Sequence, residues 1–170
     1  AFQKAEHLQR VLLNERPDDI DRIRALADTM NAIGRVQHRR NRTDEAYAAF
    51  DEAVVLRRQL VDAAPDDREF SRMLANSLMN LGTIELSLGR IEEARESFEQ
   101  AQAMRHELSR QREPEAKLQR DLAAGHFNLG RLLYRLGDHA EQLAEHEVTR
   151  QQYDAARREF ESATGWFETL

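Results

Sequence analysis

The sequence predicts an all-α solenoid of antiparallel helix pairs, and three observations predict it. The first is a repeat: Ile33-Gly34-Arg35, Leu81-Gly82-Thr83 and Leu129-Gly130-Arg131 set three glycines in matching surroundings at a constant period of 48. The second is composition. Over 170 residues, 33% are charged, 6% are aromatic and only three are proline, while 41% are hydrophobic and can fill a core; that is the balance of a chain of helix formers. The third is punctuation. Pro17, Pro65 and Pro114 all fall at the junction between one copy and the next, where a residue with no N–H and a fixed φ ends a helix.

The elements follow in order. Phe2, Ala5, Leu8, Leu12 and Pro17 stand one period before Phe50, Ala53, Leu56, Leu60 and Pro65. Residues 1–16 therefore read as the second helix of a preceding repeat, and with no initiator Met the chain is expected to be a fragment of a longer one. A repeat over 18–64 comes next, with Leu26 and Ala27 ahead of Gly34 in its first helix. At its internal turn Asn41 stands where the next copy has Gly89; both residue types tolerate left-handed backbone. In the repeat over 66–113, Leu74, Leu78, Leu81, Ile84 and Leu88 predict a first helix over Asp67 to Leu88. Ala94, Phe98, Ala101, Met104 and Leu108 predict a second over Ile91 to Gln111, because apolar residues three and four apart share one helical face. Gly82, Ala94 and Ala101 let the two helices approach, and Phe98 fills the space beside them.

The last repeat spans 115–170 and departs from the pattern. Leu136-Gly137-Asp138 matches the earlier turn, but an insert near 139–152 delays the second helix to Tyr153-Asp154-Ala155-Ala156. The fourteen inserted positions amount to about four helical turns, so helical phase survives. The insert lacks Gly and Pro. It lengthens one or both helices of a final hairpin or forms a separate helix, serving as a cap on the stack or as a dimerisation arm. Trp166 belongs to the exit of this hairpin, either in the core or half exposed.

Charge and composition exclude several functions. Lys+Arg 25 against Asp+Glu 31 gives a net charge of -6, which argues against nucleic acid as a partner. No apolar run approaches the roughly 18 residues a membrane span needs, so no membrane role is expected and the chain is expected in the cytoplasm. The absence of cysteine excludes disulfides and thiolate metal sites. His139 and His146 would share a helical face near Glu145 and Glu147, but zinc sites use tighter and richer ligand sets, and no metal or other cofactor is expected. There is no nucleophile elbow and no phosphate-cradling glycine loop. Glu92-Glu93 and Asp66-Asp67 sit at helix starts, where the helix dipole explains them without catalysis. The chain is therefore expected not to be an enzyme. Arg39, Arg40 and Arg42 form the strongest basic cluster; it either grips an acidic peptide or phosphate or is a solvated turn.

Leucine then glycine in the first helix, glycine at the turn, alanine early in the second helix, then an aromatic, an alanine and an exit proline: this set resembles the tetratricopeptide repeat. Usual copies run about 34 residues. These run 48. The difference is about four turns and lengthens the helices without rotating their faces. The Leu-Ala-x-x-x-x-Asn-Leu-Gly wording at Leu74 to Gly82 and Leu122 to Gly130 is similar to the extended repeats of kinesin light chains and of domains attached to serine/threonine kinases of planctomycete-type bacteria. With Lys4 and Lys117 the only lysines among 25 basic residues, the composition fits a GC-rich bacterial genome. The resemblance implies a right-handed α–α superhelix, a non-catalytic scaffold and a peptide or protein partner held in a concave groove. Its alternatives are a homodimerisation module and a regulatory segment of a larger signalling protein such as a serine/threonine kinase.

Rotation by about 100° per residue from the glycine seam picks out the stripe opposite the second helix. It carries Asp28, Asn31, Arg35, His38 and Arg39 in the first copy, and Asn76, Met79, Asn80, Thr83, Leu86 and Ser87 in the second. The third copy supplies Ala124, Phe127, Asn128, Arg131, Tyr134 and Arg135. By the resemblance this stripe lines the groove, and Asn80 and Asn128 hydrogen-bond the backbone of an extended peptide, since one amide offers both donor and acceptor. A local helix-to-helix bond is the other reading. Ala32 lacks the amide in the first copy. The carboxylate-clamp set of chaperone-binding members is not reproduced: the stripe holds no lysine, and Ala124 takes one of the clamp positions.

Overall fold

A computed structural model of the chain describes residues 2–110, 116–142, 151, 154–159 and 161–162. Its elements are α1 (Phe2–Glu15), α2 (Ile20–Arg39), α3 (Thr43–Ala63), α4 (Arg68–Ser87), α5 (Ile91–Arg110) and α6 (Ala116–Gln142). There is no strand among the described residues, and the fold is all-α.

Local chemistry sets the helix ends, and it repeats. Shortly after Pro17 and Pro65, Asp19 and Asp67 cap α2 and α4. The Asp19 carboxylate accepts from the Arg22 N–H at 3.2 Å, and that of Asp67 from Glu69 and Phe70 at 2.9 and 3.3 Å. Each cap satisfies N–H groups that have no partner inside the helix. At the other end the chain turns through a left-handed residue, Asn41 with φ 58° and Gly89 with φ 76°. The following N–H groups, of Arg42 and Arg90, then return to the carbonyls of Gln37 and Glu85 at 3.0 and 2.9 Å. These bonds close α2 and α4 in the manner of a Schellman turn.

Each helix packs on its chain neighbours, α1 on α2, α2 on α3, α3 on α4, α4 on α5 and α5 on α6. The result is a solenoid. Ile23, Leu26 and Met30 of α2 meet Ala53, Leu56 and Leu60 of α3 and Phe70 of α4 in one buried cluster. Phe50, Leu74, Leu78, Ile84, Ala94, Phe98 and Leu132 form the next. Within the pairs, Gly34 faces Phe50 and Gly82 faces Phe98, each so closely that a Cβ on the glycine would lie 2.7 Å from a ring carbon.

Between the pairs, two buried arginines repeat a three-way link. Arg57 of α3 donates to the Met73 carbonyl and the Ser77 hydroxyl of α4, both at 2.7 Å, and to Asp28 of α2 at 2.8 Å. Arg105 of α5, its counterpart in the following repeat, donates to the Asp121 carbonyl of α6 at 2.6 Å and to Asn76 of α4 at 2.9 Å. Burial pushes the Arg105 guanidinium down to about 10, with Asp121 acting against the shift. It is still a cation at neutral pH.

The ends of the stack differ from its middle. Leu8 and Leu12 of α1 are 59% and 37% exposed, while their counterparts Leu56 and Leu60 in α3 are 7% and 0% exposed. In the last repeat the turn expected at Gly137 is absent: α6 runs through it to Gln142. One glycine costs a helix only about 1 kcal/mol, and the following Asp-His-Ala-Glu-Gln brings no proline to stop it. Residues 139–142 of the insert thus lengthen α6, while 143–150 and Trp166 lie outside the described residues. The helical residues 154–159 close on α6: Ala156 is buried, and the Glu159 carboxylate lies 2.7 Å from Nδ1 of His126.

Candidate functional site

Because the glycine faces of α2 and α4 are turned to α3 and α5, the stripe opposite points away from each of these pairs. The equivalent stretches are 30–40 of α2, 78–88 of α4 and 126–136 of α6. On α2, Arg35 and His38 are exposed and Asn31 is half-buried. On α4, Asn76, Asn80 and Thr83 are half-buried. On α6, Arg131 and Arg135 are exposed, Asn128 is accessible, and Phe127 and Tyr134 expose 48% and 50% of their surface. Two large aromatic side chains, two helical turns apart, therefore lie along one side of α6.

The first two stretches meet at an open cavity of roughly 190 Å³, lined by Arg35, His38, Arg39, Asn80 and Thr83 with Phe50 and Ile84. Four of the sequence-predicted residues come together there: Arg35, His38, Asn80 and Thr83. Asn80 Nδ2 donates to Asn31 Oδ1 at 2.9 Å, the helix-to-helix bond that was one of the two readings of this residue. That bond uses one of its two N–H donors, and Oδ1 can still accept. Thr83 turns its hydroxyl back to the Met79 carbonyl, and Ser87 does the same to Thr83, each at 2.9 Å.

Three residues of the predicted stripe do something else. Met79 is 6% exposed and sits in the hydrophobic core; α4 is enclosed by α3, α5 and α6, so a position that is open on α2 and α6 is closed here. Leu86 is buried for the same reason. Asn76 accepts from Arg105 and belongs to the buried arginine link. Arg135 has a mixed position: its guanidinium donates to the Leu86 carbonyl at 2.9 Å, binding α6 to the C-terminal end of α4, where a cation meets the negative end of the helix dipole.

Sequence reasoning missed Arg57 and Arg105, because an arginine reads as surface. The available signal was their recurrence at the repeat period, together with Asp28 and Asn76 at the same spacing. It also missed Glu85, which is buried between α4 and α5 and accepts from the Ser97 hydroxyl at 2.7 Å. Burial holds its carboxyl above the ordinary range, the Ser97 bond opposes this, and Glu93 and Asp51 add to it.

Among the described residues no group of three or more His, Asp or Glu could hold a metal ion. The side chains of His139 and His146 lie outside those described. No helix, among the described residues, is long and apolar enough to cross a membrane.

Comparison with known proteins gives three matches to the tetratricopeptide repeat, over residues 26–68, 75–105 and 123–141. Among solved structures, the chain is similar to MamA MSR-1 C2 at 23% identity, covering 95% of this chain and 68% of that one with a TM-score of 0.41. A MamA mutant aligns at 22% identity over 92% of this chain and 66% of that one, with a TM-score of 0.39. BtubC (BKLC) from P. vanneervenii aligns at 14% identity over 96% and 90%, with a TM-score of 0.28. No curated protein matches the chain.

Proposed function

Since the chain is a tetratricopeptide-repeat protein, and such repeats build protein–protein interaction scaffolds, we propose that it binds a peptide or protein partner along the face formed by α2, α4 and α6. The observation that carries this reading is the cavity between α2 and α4, where Arg35, His38, Asn80 and Thr83 converge on one open space. Asn31 holds Asn80 from α2. Asn128, Arg131, Tyr134, Arg135 and Phe127 continue the face on α6. A stacked scaffold of this kind is ordered before its partner arrives, so binding does not have to supply the ordering of the receptor.

The test is selection from a displayed peptide library on the immobilised chain, followed by measurement of the selected peptides against a variant carrying alanine at Arg35, Asn128, Arg131 and Tyr134. Loss of binding by the variant supports the groove. Peptides that bind it as tightly as the unaltered chain would overturn the assignment.

A second reading has its own observation. The exposed Leu8, Val11 and Leu12 of α1, the helix read above as the second of a preceding repeat, form an apolar strip that either a further repeat or a second copy of the chain would cover. Light scattering that finds a monomer at all concentrations would remove the second copy.

A further inference from the structure

Over the three equivalent stretches of the groove face the exposed charge has one sign, and Asp28, one turn earlier on the same stripe, is paired to Arg57. In 30–40, 78–88 and 126–136 the arginines are Arg35, Arg39, Arg40, Arg131 and Arg135, and the sole carboxylate is Glu85. That carboxylate is buried and turned to Ser97 of α5. The chain as a whole carries -6, so a cationic face runs against its average.

Two ordinary explanations fall short. Cations at helix C-termini complement the helix dipole, but that effect fades beyond the last turn. It covers Arg39 and not Arg131, which lies about three turns before the end of α6. Solvated helix surfaces also carry arginine, but several such arginines elsewhere in this chain pair with a carboxylate about one turn away: Arg24 with Asp21, Arg95 with Glu92, Arg110 with Glu107 and Arg157 with Glu161. Arg35, Arg39 and Arg131 have no acidic residue at those spacings and make no ion pair among the described residues.

Resting on the groove reading above, we propose that the partner is an acidic peptide, whose Asp or Glu carboxylates meet Arg35 and Arg39 in the α2–α4 cavity and Arg131 on α6. Guanidinium groups match carboxylates with two parallel N–H···O bonds. Asn80 lines the same cavity and keeps one amide donor and its acceptor beyond the bond to Asn31, a pair that suits a peptide unit. Nucleic acid is the poorer match. It needs a long track of phosphate contacts, and the surface beyond this face returns to net negative charge.

The test uses fluorescence polarisation with three labelled probes: a short peptide alternating glutamate and serine, its glutamine counterpart, and a single-stranded oligothymidylate of equal charge. The glutamate peptide should bind, weaken with added salt, and exceed the glutamine peptide by about tenfold or more. Arg35→Ala/Arg39→Ala and Arg131→Ala should each lower its affinity by about tenfold, with helical circular dichroism unchanged. Arg95→Ala, whose side chain pairs with Glu92, should bind as before. The proposal is overturned if the glutamate peptide binds no better than the glutamine one, if the arginine variants keep full affinity, or if oligothymidylate is preferred. The groove reading fails separately: it falls only if library-selected peptides ignore the groove substitutions.

Discussion

The ring of Phe98 occupies the space that a side chain on Gly82 would need: a Cβ there would come 2.7 Å from Cε1 and 2.8 Å from Cδ1. Phe50 stands in the same relation to Gly34. By helix propensity alone, Gly82→Ala should stabilise α4 by about 1 kcal/mol. Phe98 is 1% exposed and enclosed by the core, so it has little room to yield, and overpacking costs about 1–3 kcal/mol. Gly82→Ala should therefore lower stability by up to about 2 kcal/mol in urea unfolding. Adding Phe98→Leu should restore part of the loss. A stabilised single variant would show that the ring moves aside.

Gly125 offers a contrast. A Cβ there would run into the carboxamide of Gln102, but this is the far end of a flexible side chain. Its Oε1 has no hydrogen-bond partner among the described residues, and its Nε2 reaches the Leu122 carbonyl at only 3.4 Å. Only that long bond holds it, so its carboxamide can turn, although the residue is 5% exposed and packed by its neighbours. Gly125→Ala should stay within about 1 kcal/mol of the unaltered chain, and the same unfolding measurement separates it from Gly82→Ala.

Gly89 isolates the backbone contribution, because nothing lies within 4 Å of a Cβ built on it while its φ is 76°. Gly89→Ala should cost about 1–2 kcal/mol through left-handed strain alone. At the matching turn Asn41 has φ 58°, and Asn41→Gly should be neutral or slightly stabilising. Equal stability of Gly89→Ala and the unaltered chain, by thermal unfolding, would contradict this account of the turn.

The helix pairs are legible in the sequence because each determinant leaves a local mark. Pro17 and Pro65 precede the capping Asp19 and Asp67, Asn41 and Gly89 mark the turns, and Phe50 and Phe98 follow Gly34 and Gly82 at a fixed interval. The groove stripe is legible only in outline. Rotation about a helix axis puts Met79 level with Asn31 and Phe127, but it carries no information on how deeply neighbouring helices cover each one. Gly137 misleads for a related reason: a glycine permits a turn without requiring one, and α6 continues through it. The arginine links are hidden because charge dominates the reading of Arg57 and Arg105, and only their partners in other helices reveal why they are buried.

Those links should matter for stability. Arg57 is 5% exposed and satisfies the Met73 carbonyl and the Ser77 hydroxyl of the next pair, while Asp28, its third partner, is largely exposed. The ion pair with Asp28 is thus screened by water and contributes little. The buried Ser77 hydroxyl decides the outcome, because the Met73 carbonyl keeps its bond within α4. Arg57→Met should cost about 1–2 kcal/mol, since it removes the donor to that hydroxyl while keeping most of the apolar volume. Arg58→Ala, next to it and exposed, should change stability by no more than about 0.5 kcal/mol. Equal effects in denaturant unfolding would mean that Arg57 does not tie the repeats together.

Glu85 makes the final prediction one of pH. Its carboxyl is held above its ordinary value of 4.5, first by burial and then by Glu93 and Asp51, against the opposing bond from Ser97. The folded chain therefore binds this proton at a higher pH than the unfolded chain does. Between the raised value and 4.5 the folded state carries more protons than the unfolded one, so this group's contribution to stability improves as pH falls through that window. Above it, the buried carboxylate is a standing penalty. Glu85→Gln keeps an acceptor for Ser97 and removes the charge, so it should be more stable than the unaltered chain at pH 7, with the difference shrinking as pH approaches 4.5. Comparing the two proteins cancels the titration of every other carboxylate. A difference that stays constant across that range would mean that Glu85 is solvated well enough to ionise normally, and that its place between α4 and α5 carries no electrostatic strain.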